Sequence, residues 1–191
     1  MKIYAFTDVH GETKKIDKIL SDISVFKPDV LVCCGDLTDF GGDLKKHISR
    51  FDLEIPFLIL HGNHESIAQI ESISGKSIIN LHKNFFEFED YTFLGYGGGG
   101  FVQESEDFCD FVENLDIKGK KLVIVTHMPP FKTMLDKLEM GYRGLIPLRE
   151  FIINKKPALV LSGHLHENAG KVDFIQNTVL INPGGGKLIE I

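Results

Sequence analysis

Cysteine is scarce in this chain of 191 residues. There are three, two of them adjacent at Cys33 and Cys34. That excludes a disulfide framework, and no pair has the spacing of zinc ligands, which leaves reduced packing residues as the simple role. Dense basic blocks are absent as well. With 21 Lys and Arg against 27 Asp and Glu and a formal net charge of -6, the chain lacks the clustered cations that drive tight binding to duplex nucleic acid. A small anionic ligand stays open if a metal supplies the positive charge. No stretch approaches the apolar length of a membrane span, and the apolar run behind Met1 meets Asp8 too soon for a signal peptide. The expectation is a cytoplasmic protein with no membrane partner.

The 43% of hydrophobic residues can form one sizeable core, so a single domain over 1–191 is expected. Lys2 to Thr7 reads as a first strand. Ile16, Ile19, Leu20, Ile23 and Phe26 recur at helical spacing within Thr13 to Phe26. Val30 to Cys33 is a continuous apolar strand of the kind buried on both faces, and a short helix around Leu44 to Phe51 precedes a strand at Pro56 to Leu60. Phe85 to Phe88 and Tyr91 to Leu94 read as a hairpin about Glu89-Asp90, so the sheet is mixed or there are two sheets. Gly97 to Gly100 lacks the lysine and Ser/Thr of a P-loop and reads as a flexible turn. Ser105 caps a helix to about Leu115, Lys121 to Val125 is a strand, Met128 to Arg143 a long irregular connection, and Leu145 to Asn154 a helix. A strand at Ala158 to Leu161 and two or three more through Lys171 to Ile191 close the chain.

Five strand ends carry residues that bind metal: Asp8 and His10; Asp36; Asn63 and His64; His127; His164 and His166. Side chains placed at the carboxyl ends of strands in an α/β sheet can converge in one cleft. Each piece has a plainer reading. Gly-Asp after a strand is commonly a turn with a capping aspartate, Asp-x-His is weak alone, and Gly163-His164-Leu165-His166 could be a surface loop. Six of the eight histidines lie in or beside these motifs, and the joint metal-site reading outweighs the separate ones. His61 reads as a core or rim histidine, His47 and His82 as surface residues, Asp39 as a turn or cap with support of a metal ligand as the alternative, and Cys33 and Cys34 as packing. Lys132, Lys137, Tyr142 and Arg143 could contact substrate or lie on a solvated loop.

In order, Asp8-Val9-His10, Gly35-Asp36, Gly62-Asn63-His64-Glu65, His127, Gly163-His164-Leu165-His166 and the closing Asn182-Pro183-Gly184 resemble the calcineurin-like metallophosphoesterase family over nearly the whole chain. The resemblance implies an α/β fold with four layers, two packed mixed sheets flanked by helices, and a dinuclear metal site at the strand ends. It assigns one ion to Asp8, His10, Asp36 and His166, and the other to Asp36, Asn63, His127 and His164. Asp36 is thus the bridge. Nitrogen and oxygen donors suit Mn, Fe, Zn or Ni, with Mn favoured here. Two divalent ions about 3.5–4 Å apart clamp a phosphate and lower the pKa of a bridging water for in-line attack.

The resemblance leaves His64 as the general acid toward the leaving oxygen, although it could instead orient Asp36. Protein phosphatases of this superfamily carry an arginine where Gly35-Asp36-Leu37-Thr38-Asp39-Phe40-Gly41 has Phe40. The segment is similar to that of small phosphodiesterases related to cyclic-nucleotide phosphodiesterases. The expected activity is hydrolysis of a small phosphodiester; a phosphomonoesterase and a non-catalytic interaction scaffold are the alternatives.

Overall fold

In β1 (Lys2–Phe6) the side chains divide by parity: Ile3 and Ala5 enter one apolar cluster, Tyr4 and Phe6 another. A strand apolar on both faces must be covered on both. The computed structural model, which describes residues 1–100, 102–113, 115, 117 and 120–191, shows what covers them. α1 (Thr13–Phe26) lays Ile16, Ile19 and Ile23 on one face. It stops where Lys27 turns left-handed and its N–H reaches the Ile23 carbonyl at 3.0 Å, just before Pro28. β2 (Val30–Cys33), α2 (Leu44–Ile48), β3 (Phe57–Ile59), α3 (Ile67–Glu71) and β4 (Ile78–Asn80) follow. β5 (Asn84–Phe88) and β6 (Tyr91–Tyr96) form the expected hairpin. Next come α4 (Glu106–Glu113), β7 (Lys121–Thr126), β8 (Lys137–Leu138), β9 (Gly141–Tyr142), α5 (Ile146–Lys155), β10 (Leu159–Leu161), β11 (Val172–Ile175), β12 (Thr178–Ile181) and β13 (Lys187–Glu190).

Two mixed sheets result. The first runs β13-β1-β2-β3-β4, with β13 antiparallel to its neighbour, and the second runs β11-β12-β10-β7-β6-β5, with antiparallel strands at both edges. Between the sheets lies a core that includes Ile3, Val32 and Leu58 of one and Phe93, Val125 and Leu161 of the other. A second core joins α1 and α2 to the first sheet, and a third joins α4 and α5 to the second. The layers are therefore helix, sheet, sheet, helix. Each fully buried Val, Leu, Ile or Phe in these seams contributes roughly 1.5–3 kcal/mol. Cys33 and Cys34 are both buried, on opposite faces of the first sheet.

Several sequence expectations need correction. Met128 to Arg143 is not wholly irregular, because β8 and β9 pair within it as a small antiparallel ribbon. α3 and β4 went unanticipated. The first is announced by a capping box, in which Ser66 and Gln69 exchange side-chain and backbone hydrogen bonds; the second spans three residues, too few to show a period. His47 is buried, and His82 is half-buried with its Nδ1 accepting from the Gly97 N–H at 3.0 Å. The glycine run is a packed turn, since the Gly98 N–H likewise donates to the His61 carbonyl at 2.8 Å. Ser105 does cap α4, accepting from the Phe108 N–H at 3.1 Å.

Candidate metal centre

β1, β2 and β3 of the first sheet and β7 and β10 of the second end on the same side of the molecule. Beyond those ends the loops cross-link: the Asp8 N–H donates to the Gly35 carbonyl, the His10 N–H to the Asp36 carbonyl, and the Gly163 N–H to the His127 carbonyl. Asp8, His10, Asp36 and His164 all have positive φ, between 51° and 72°. Non-glycine residues enter that region at a cost, and a cluster of them is a feature of functional sites. A Cβ at Gly62 would strike the Asp36 carboxylate, and one at Gly163 would strike Thr7 and Asp8. Only glycine lets those loops approach so closely.

The side chains converge in two groups that share Asp36. In one, His10 Nε2 faces His166 Nε2 at 3.0 Å, with Asp8 Oδ1 3.6 Å from the latter and Asp36 Oδ2 4.0 Å from the former. In the other, Asn63 Oδ1 lies 3.0 Å from His127 Nε2 and 2.9 Å from His164 Nδ1, while Asp36 Oδ2 is 3.4 Å from His127 Nε2. Every residue in the expected set is thus at the cleft. Asp8, His10 and His166 offer ligand atoms within 4.8 Å of one another, and so do Asp8, Asp36 and His127. His64 falls into such a group as well, with His10 and Asp36.

These atoms are oriented from behind. His127 Nδ1 donates to the Cys34 carbonyl at 2.9 Å, which turns Nε2 into the cleft. Asp39 Oδ1 takes the Nδ1 side of His10 at 2.7 Å, so Asp39 is a partner of the site and not merely a turn residue. Metal-binding imidazoles characteristically have a carbonyl or carboxylate on the far nitrogen. Glu65 anchors the loops themselves. Its buried carboxylate accepts from the N–H groups of Asp36 and Gly62, each at 3.1 Å, and of Thr38 at 2.7 Å, and from the Thr38 hydroxyl. Sequence reasoning gave Glu65 no role, although its place in Gly62-Asn63-His64-Glu65 was the available signal.

The electrostatics is that of a crowded polar cleft with a buried floor. Burial raises the pKa of Asp8; His127 partly offsets this and the Asp36 charge adds to it. Burial alone would raise Asp36 too, but its contact with His127 and the His64 N–H at 2.9 Å hold it below the ordinary carboxylate range. His127 is the converse case, in which burial is outweighed by Asp36 and Asp8 and the pKa rises. Burial and the His127 charge lower His164 to about 4, which leaves its ring neutral and able to donate a lone pair. A cleft with a buried floor at Asp8, Asp36 and His127 and an open rim at Asn63 and His166, with N and O lone pairs gathered around common points and two carboxylates, is chemically suited to divalent cations.

Other candidates lie apart. His61 is buried against His82, their rings 4.5 Å apart. Arg143 donates to the carbonyls of Tyr142 and Met140 in its own loop, and Lys132 sits over Phe131. Asn182 accepts from the Gly184 N–H, and the Gly184 carbonyl receives the Thr7 N–H at 2.8 Å, so the closing turn braces the end of β1.

The family model described as calcineurin-like phosphoesterase matches residues 1–168. An uncharacterized protein of Methanocaldococcus jannaschii is 27% identical over 201 residues, spanning 96% of this chain and 88% of its own. A probable cyclic nucleotide phosphodiesterase of Pseudoalteromonas sp. is 27% identical over 180 residues, 86% of this chain and 69% of that protein. The fold matches the TT1561 protein of Thermus thermophilus with a TM-score of 0.76 at 17% identity, covering 96% of this chain and 88% of the other. A novel archaeal phosphodiesterase gives a TM-score of 0.55 at 18% identity, over 96% and 84%.

Proposed function

Because this chain belongs to the calcineurin-like phosphoesterases, we propose that it is a metal-dependent hydrolase of small phosphodiesters, with Asp8, His10, Asp36 and His166 holding one divalent ion and Asp36, Asn63, His127 and His164 a second. The observation that carries this reading is the convergence of seven side chains from five strand ends on one cleft, with Asp36 within reach of both groups. When bound, two divalent ions offset phosphate charge and lower the pKa of a water.

The chain's own residues supply the rest. Asp8 and Asp36 limit the net positive charge of the loaded site, and His127 and His10 are held by Cys34 and Asp39 so that their other nitrogens face inward. His64 lies at the rim, its ring 4.7 Å from that of His10 and its backbone N–H on Asp36. Its Nδ1 is buried without a hydrogen bond and stands 3.4 Å from Asp39 Oδ1, too far for a well-formed one. In this reading His64 protonates the leaving oxygen, the general-acid role. The phosphodiester preference draws on the Gly35-Asp36-Leu37-Thr38-Asp39 segment and on the names of the two phosphodiesterases above.

The test is turnover of bis-p-nitrophenyl phosphate and p-nitrophenyl phosphate by purified protein with added Mn²⁺. Faster hydrolysis of the diester supports the proposal. Turnover of the monoester alone overturns the diesterase preference, and turnover of neither, with metal bound, favours a non-catalytic scaffold.

A further inference from the structure

The loop that follows Asp36 is held rigidly up to Asp39, by Glu65 at Thr38 and by His10 at Asp39. The next residue, Phe40, breaks two rules of stability. Its φ is +49°, a region in which a bulky L-residue is strained, and the residue is 80% exposed, so it recovers little hydrophobic burial in return. Gly41 and Gly42 follow at once, either of which would fit such a turn better. What the conformation achieves is placement. The Phe40 ring lies 4.6 Å from the His64 ring, tilted by 33°, and His64 in turn meets His10 edge-on. An exposed, flat apolar surface therefore lies beside the proposed proton donor.

We infer that Phe40 is a stacking platform for the group that leaves with the ester oxygen, and that the site selects phosphoesters whose leaving group carries a planar aromatic ring, aryl esters being the simplest case. The inference rests on the phosphoesterase reading and on the place of His64 within it. The chemistry is that of base–aromatic recognition: every aromatic ring or nucleobase has a π-face, and stacking needs no hydrogen-bond partner from the protein. An aromatic group attached to the leaving oxygen would reach this ring as that oxygen reaches His64. An alkyl group of similar reach offers no face to stack.

Phosphonates separate this claim from turnover because their P–C bond is not hydrolysed at such a site. Benzylphosphonate and ethylphosphonate carry a methylene where the corresponding phenyl and methyl esters carry oxygen. Calorimetric titration into the Mn²⁺-loaded protein is expected to show benzylphosphonate binding more tightly by about fivefold or more. Phe40→Ala should abolish that preference and leave ethylphosphonate affinity within about twofold of the wild type, while Phe40→Trp retains the preference. An unchanged preference in Phe40→Ala overturns the inference, as does an equal loss for both ligands, which would mean that Phe40 merely positions His64. Failure of the functional reading would appear separately, as no turnover of bis-p-nitrophenyl phosphate by a wild type that still distinguishes the two phosphonates.

Discussion

Asp39 Oδ1 lies 2.7 Å from His10 Nδ1, and this contact ties the loop after β2 to the loop after β1. Asp39 is 61% exposed, so it is not there to fill the core. Asp39→Ala is expected to weaken Mn²⁺ binding at the His10 group by about 10–100-fold with little change in thermal stability. Metal titration alongside a melting curve checks this. Wild-type affinity would show that the contact is incidental.

Replacing His64 should separate chemistry from binding. In His64→Gln, kcat is expected to fall by about 10²–10⁴-fold while two metals per chain are retained. Steady-state kinetics with metal analysis of the same sample decides. Proportional loss of metal and turnover would make His64 a ligand in place of an acid.

Glu65 is a matter of stability. Truncation to alanine strands the buried N–H groups of Asp36, Gly62 and Thr38 without their acceptor. With unsatisfied buried donors costing about 1–3 kcal/mol each and partial relief by water, Glu65→Ala is expected to lose about 3–5 kcal/mol. Urea unfolding of the metal-free protein measures it. A loss below about 1 kcal/mol would contradict the anchoring role.

His61 sets a pH dependence. Burial first, then the charges of His82 and His127, lower its pKa to about 4 from 6.5. The unfolded chain takes up a proton that the folded chain refuses, so stability falls as pH drops. The contribution is complete above about pH 6.5 and is lost progressively toward pH 4, by up to about 3 kcal/mol. His164, also lowered to about 4, acts in the same direction, whereas His127 and Asp8, both raised, act against it. The His61 share is read by difference: between pH 7 and pH 5 the denaturation midpoint of metal-free wild type should lose more, or gain less, than that of His61→Gln. Equal slopes would rule His61 out.

What could be read from the sequence follows the physics. The elements built on clear apolar patterns, such as α1 and β2, were legible to within a residue, because a helix buried on one face repeats its apolar residues at helical spacing and a strand buried on both faces is a continuous apolar run. The candidate site residues were legible because Asp, Asn and His at strand ends are unusual, and a strand end fixes where they go. Asp39 was half legible: a carboxylate two residues before Gly41 reads first as a turn, and only the fold brings His10 from 29 positions away to favour the alternative of supporting a ligand. His47 and His82 were hidden for the same reason: nothing local declares that a histidine will be covered by another segment. β4 and the β8–β9 ribbon are too short for any period to emerge.

The central claim is that Asp36 joins two metal positions, and counting ions tests it most directly. Titration of Mn²⁺ into metal-free protein should give two ions per chain in the wild type, one in Asn63→Ala with the other little affected, and weakened binding at both positions in Asp36→Asn. A single ion in the wild type, or an Asp36→Asn variant that keeps one position at full affinity, would contradict the shared centre.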